Sequence, residues 1–212
     1  MKRPEPFWHW PGRDLLLHYL RLGAVVGAWF TLVYVGADWL TARHGWRVRV
    51  HLDLERHTPF VPAALLGYVS EYVLFALPPF VLRSRRELDA LAAALAAVIL
   101  VASAVFLLVP AAPAFPPPSE MGAWEGSVRF FKWLALAHNL VPSLHVALSV
   151  VCVAVYARRA GLPGKMLLWL WAGVIAASTL LLHQHYLLDV LTGAALGWAG
   201  VRAVYDRWAA CT

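Results

Sequence analysis

Asn139-Leu140-Val141-Pro142-Ser143-Leu144-His145-Val146-Ala147 and Ser178-Thr179-Leu180-Leu181-Leu182-His183-Gln184-His185-Tyr186-Leu187-Leu188-Asp189-Val190-Leu191-Thr192-Gly193 are the two polar interruptions in an apolar final third. One hydrophobic run separates them. Each lies at the edge of a run long enough to matter to a bilayer, where ionisable groups are costly and default to a functional reading. Only 14% of the 212 residues are charged and 61% are hydrophobic, whereas a soluble domain carries about a quarter charged residues. Several runs approach the roughly 20 residues that cross a bilayer as helix. The chain therefore reads as an all-α integral membrane protein, a single domain over 1–212. Six spans are expected, at about 19–40, 61–82, 88–109, 142–157, 166–183 and 186–205.

Eleven tryptophans suit the aromatic belts of the two membrane surfaces. The net charge of +6 does not point to nucleic acid, because the basic residues sit in short loops between spans. Eleven of the 18 Lys and Arg fall in the N-terminal tail, the loops around 83–86 and 158–165, and the C-terminal end. Six fall on the opposite side, and Arg21 lies within the first span. The positive-inside rule then puts both termini in the cytoplasm of a bacterial-type plasma membrane, with anionic headgroups as counter-charge. Both histidine segments emerge on the extracytoplasmic face. Cys152 and Cys211 supply neither a disulfide framework nor a metal cluster.

Two loops flank these spans. Residues 41–59 are polar, and Arg47 to Leu54 alternate with a period of two. One strand alone has no partner, so this stretch is expected to lie on the membrane surface as an external loop. Residues 110–131 are rich in proline and glycine, with Pro116-Pro117-Pro118 unable to continue a helix, and a short helix through Trp133 leads into the fourth span. Glu71 falls about two turns into the second span. It is either a carboxylate hydrogen-bonded to a neighbouring helix or a functional group.

His185 and Asp189 are four apart and share one helix face. A carboxylate there holds one ring nitrogen and leaves the other as nucleophile or base; the alternative is a structural pair capping a span. Pro142 suits the first turn of a helix, so the fourth span is expected to begin at Pro142-Ser143-Leu144, presenting open amides to an anion. His145 then faces the same aqueous pocket as His185. Two histidines, one carboxylate and a helix N-terminus suit phosphoryl transfer, and no metal or cofactor is expected, since the clustered acids that magnesium prefers are missing from the motif.

Pro142-Ser143-Leu144-His145 followed by His185-Tyr186-Leu187-Leu188-Asp189 resembles the type 2 phosphatidic acid phosphatase (PAP2) superfamily. Asn139, Ser178-Thr179, Gln184 and Gly193, with Pro59-Phe60-Val61-Pro62 and Tyr68-Val69-Ser70, resemble its inositol phosphorylceramide synthase-like branch. The resemblance implies a PAP2-like bundle, His185 as the nucleophile forming a phosphohistidine, Asp189 as its orienting partner and His145 as general acid. Many superfamily phosphatases also carry a lysine and an arginine-proline pair ahead of these motifs, and an arginine after the serine of the last one. Here 106–118 holds no basic residue and Thr179 stands in that arginine position. The phosphate must be held by other groups: Ser143 and Leu144 amides, Asn139, Gln184, Arg129 or Lys132. His138 and His183 are expected to be interfacial polar residues. Lipid phosphate hydrolysis and transfer of a phospho-headgroup to an alcohol are both compatible with these residues. A catalytically silent six-helix scaffold that binds or moves lipid is the alternative.

Overall fold

The computed structural model describes residues 6–116, 118, 121–134 and 138–210, so Lys2, Arg3, Pro117 and Cys211 fall outside the described residues. Helix α1 spans Arg13–Thr41 and contains one π turn at Thr31–Val35. Helix α2 (Pro62–Ala76) opens with proline in its first turn. A four-residue helical turn, Pro78–Val81, follows it; its two prolines lack the donors that would continue α2 unbroken. Helix α3 (Arg85–Leu108) starts in a capping box, Ser84 Oγ accepting from Glu87 N–H while Glu87 accepts from Ser84 N–H. The remaining helices are α4 (Glu125–Leu134), α5 (Leu144–Tyr156), α6 (Leu162–Leu181) and α7 (Leu187–Ala210).

Four of these, α1, α3, α6 and α7, are long and apolar enough to cross a membrane, while α2 and α5 are shorter apolar helices. At one end Arg85 faces Asp14, Arg86 donates to the Trp208 carbonyl, Arg159 pairs with Glu87 and Arg158 with Asp206. At the other, the His138 amide donates to Asp38 and the Asn139 amide to the Tyr34 carbonyl. The basic loops and the histidine motifs thus occupy opposite ends.

Two expectations change. The 47–54 stretch does find a partner: Val48 pairs with Ala111 in a single parallel bridge, closed by Val48 N–H to the Pro110 carbonyl and Ala112 N–H to the Val48 carbonyl, each at 2.9 Å. The pairing partner came from the other proline-rich loop, invisible to local periodicity. The fourth span also starts later than Pro142. Ser143 is its N-cap, its hydroxyl accepting from Val146 N–H, as serine favours that position, and Pro142 stays outside the helix.

Helix α5 is the axis of the bundle. Every residue in it except His145 is buried, as expected of a helix that is apolar all round. Helix α7 crosses it through glycines. A Cβ on Gly193 would stand 2.4 Å from the Ser143 carbonyl oxygen, and one on Gly197 would stand 2.3 Å from that of Ala147. Between membrane helices, close backbone approach through small residues replaces the hydrophobic driving force. Gly197→Ala is therefore expected to destabilise the protein by about 1–3 kcal/mol, read as a lower melting temperature in detergent. Gly173→Ala, whose Cβ meets nothing within 4 Å, serves as the control and should leave the melting temperature equal or higher.

Candidate active site

The second motif is placed by how α6 ends. His183 takes a left-handed conformation, φ 55°. Its N–H bonds to the Leu180 carbonyl and the Gln184 N–H to that of Thr179, the two bonds of a Schellman closure. Histidine tolerates this conformation better than most side chains, and here it is held. Its ring nitrogen donates to the Thr58 carbonyl at 2.9 Å and the ring stacks on Phe115 at 3.9 Å. Burial, with a smaller contribution from the Lys132 charge, keeps this imidazole below its ordinary pKa despite the Thr58 bond. His183 is a structural staple, in line with the interfacial role expected of it. His138 likewise is tied to Asp38 on α1.

The reversal delivers His185 to the start of α7. Asp189, in the first turn, accepts from the Tyr186 N–H at 2.8 Å through Oδ2, and the same oxygen lies 3.3 Å from His185 Nδ1. The helix cap and the histidine partner are one carboxylate. With Nδ1–H turned to Asp189, Nε2 is the nitrogen left to react. His185 is 7% exposed and Asp189 fully buried. Glu55 accepts from the Leu187 N–H, so the 41–59 loop also closes onto this turn.

The first motif meets the second directly. The Ser143 N–H donates to the Asp189 carbonyl at 2.9 Å, and the missing side chain of Gly193 lets the Ser143 carbonyl approach from the other side. His145 follows in the first turn of α5, within electrostatic range of His185. Its Nε2 lies 3.1 Å from Glu71 Oε2 of α2, off the hydrogen-bond direction, so the two groups are in close contact without a hydrogen bond. Ser149 donates to the other Glu71 oxygen at 3.2 Å, and the Tyr68 ring stacks on His145 at 4.1 Å. Glu71 is thus bonded to a neighbouring helix, and it also faces a motif histidine. The available signal was a carboxylate at membrane depth with Tyr68 three residues before it, a spacing that puts both on one face.

The remaining candidates separate by their partners. The Ser143 amide is already engaged by Asp189, so the amides that helix geometry leaves open in α5 are those of Leu144 and His145. Asn139 donates to the Tyr34 carbonyl at 2.9 Å, while its own carbonyl oxygen is buried without a partner among the described residues. Gln184 is half-buried in the turn between the motifs. Arg129 is exposed and paired with Glu125. Lys132 has no carboxylate partner among the described residues, lies over the Phe60 ring, and has its pKa lowered by burial.

An apolar cavity of about 670 Å³ opens against His145, Glu71 and Tyr68 and extends along α1. That size falls within the range of small-molecule sites. No solved structure matches the chain. The sequence itself matches the PAP2 superfamily over residues 40–203, a stretch that contains Glu71 and both histidine motifs. Members of that family are generally phosphatases, and a match over that much of the sequence shows the family: the chain belongs to the PAP2 superfamily.

Proposed function

We propose that this protein is a six-pass lipid phosphatase or phospholipid headgroup phosphotransferase whose site faces the extracytoplasmic side. The observation that carries the reading is the pair of imidazole–carboxylate contacts, His185–Asp189 and His145–Glu71, on motifs joined by the Ser143 N–H to Asp189 carbonyl bond, the second contact lining the apolar cavity. In the first half-reaction His185 Nε2 attacks phosphorus. The nitrogen–phosphorus bond forms as the bond to the leaving oxygen breaks, and His145 gives that oxygen its proton. Glu71 steadies the protonated His145 ring, and Asp189 steadies the charge that develops on His185. In the second half, water or an alcohol attacks the phosphohistidine, His145 takes the proton of the acceptor, and His185 leaves. The Leu144 and His145 amides with Lys132 hold the phosphoryl oxygens.

The basic residues that many superfamily phosphatases carry are missing, and Lys132, over Phe60 and near His183, has no carboxylate partner among the described residues. One cation suits a phosphodiester, with its single charge, better than a monoester dianion. That balance supports headgroup transfer, inositolphosphotransferase-like, as the finer reading. Helices α2 and α5, apolar but shorter than the other four, count as spans in this reading, and the surplus of Lys and Arg at one end supports cytoplasmic termini.

Kinetics with two leaving groups test this. His185→Ala should abolish turnover of every substrate. His145→Ala should cost roughly a hundredfold to ten-thousandfold with an alkyl leaving group and much less with p-nitrophenol, which needs no proton. Glu71→Gln should follow His145→Ala in kind at smaller size, and Lys132→Ala should raise KM by about tenfold or more where Arg129→Ala leaves it unchanged. Substantial turnover by His185→Ala would overturn the mechanism, and absence of any reaction across lipid phosphates and phospholipids would favour a silent scaffold.

Orientation has its own readout. In a chain freed of native cysteines, Gly45→Cys should react with an impermeant reagent on intact cells and Gly161→Cys should not. The reverse pattern would put the site on the cytoplasmic face.

A further inference from the structure

The cavity is much deeper than a phosphate requires. Along α1 its lining runs from Tyr19 through Gly23 and Gly27 to Val35, which is about 24 Å of helix at 1.5 Å per residue. One leaflet contributes only about 15 Å of the roughly 30 Å hydrocarbon core, so the slot passes the midplane. One end is lined by Tyr68, Glu71 and His145, and the other by Tyr19, Pro78 and Leu88. Between these ends the lining is overwhelmingly apolar.

Helix α1 covers this slot without filling it. No residue of Arg13–Phe30 is buried, although the helix is anchored: Tyr19 donates to the Phe75 carbonyl at 2.9 Å, Trp29 to that of Ala96 at 3.1 Å, and Asn139 holds the Tyr34 carbonyl. Gly23 and Gly27 line the slot, and a Cβ on either would meet nothing within 4 Å. At Gly193 and Gly197 glycine permits close helix contact. At Gly23 and Gly27 it leaves empty volume.

We propose that the slot under α1 holds one hydrocarbon tail of the lipid whose phosphate is processed at His185, and that Gly23 and Gly27 set the longest tail accepted. The inference rests on the functional reading above and adds a length selector to it. From the Val35 end, Gly27 lies about 12 Å down and Gly23 about 18 Å. A side chain at Gly27 therefore blocks the slot higher than one at Gly23.

The test measures kcat/KM of purified wild type, Gly27→Leu, Gly23→Leu and Gly36→Leu for alkyl phosphates of increasing chain length, with p-nitrophenyl phosphate as the tail-free probe. Gly36 is on the same helix, outside the slot, and a Cβ there also meets nothing within 4 Å. Expected is a fall of about tenfold or more for long tails only, beginning at a shorter length in Gly27→Leu than in Gly23→Leu, with Gly36→Leu like wild type. The p-nitrophenyl activity should be unchanged in all four and so reports intact folding. A length profile unchanged in both slot variants, or an equal loss at all lengths with p-nitrophenyl activity retained, overturns the selector. Failure of wild type to turn over any phosphate ester instead strikes the functional reading itself.

Discussion

The backbone contact between α5 and α7 is the constraint on which the rest depends. Gly193 and Gly197 give up their side chains so that the Ser143 and Ala147 carbonyls can come within reach of α7, and the Ser143 N–H reaches the Asp189 carbonyl across the same gap. Two motifs separated by a full helix in sequence are thereby held at one depth and in one register. A larger residue at either glycine would move His145 relative to His185, and a misplacement near 1 Å at reacting atoms can cost a hundredfold in rate. Packing and chemistry are therefore decided by the same few atoms.

Around that contact two buried carboxylates each face two partners, while Asn139 Oδ1, His145 Nε2 and Asp189 Oδ1 are buried without a hydrogen-bond partner among the described residues. Asp189 serves the α7 N-terminus and His185 with a single oxygen, and Glu71 divides its two oxygens between Ser149 and His145. Where water is scarce each unsatisfied group is expensive, so such sharing stabilises the bundle as it orients the rings. The outer loops complete the enclosure. Phe115 lies between the His183 and Tyr186 rings, stacked at 3.9 and 4.9 Å, and Ala114 N–H donates to the Tyr186 hydroxyl. These loops pack around the His185 turn, while His145 lines the apolar cavity.

Much of this was legible in the residues. Apolar run length marked the all-helical, membrane-type character of the chain, because hydrophobicity over a full helix is a long-range average that single residues do not disturb; four helices are long and apolar enough to cross a membrane. The His185–Asp189 contact was legible in the spacing but its geometry was not: His185 precedes the helix, and Asp189 reaches it from the first turn while capping the Tyr186 N–H. What escaped was tertiary. The Glu71–His145 contact joins α2 to α5 across a sequence separation that no periodicity reports, and the Val48–Ala111 bridge joins two loops that look unstructured separately. The Pro142 expectation failed for a local reason: proline at a helix start and serine at a helix cap compete for the same boundary, and here the serine hydroxyl captures the Val146 amide. The cavity was unreadable in principle, because empty space under α1 depends on which neighbours do not pack there.

The central claim is that His185 carries the phosphoryl group between donor and acceptor. The most direct measurement is rapid acid-free quenching of the enzyme with a phosphorus-labelled substrate, followed by mapping of the labelled peptide. The account predicts a label that is stable to base, lost in mild acid, and located on His185. A label on any other residue, or a reaction with full turnover and inversion at phosphorus in a single displacement, would contradict it.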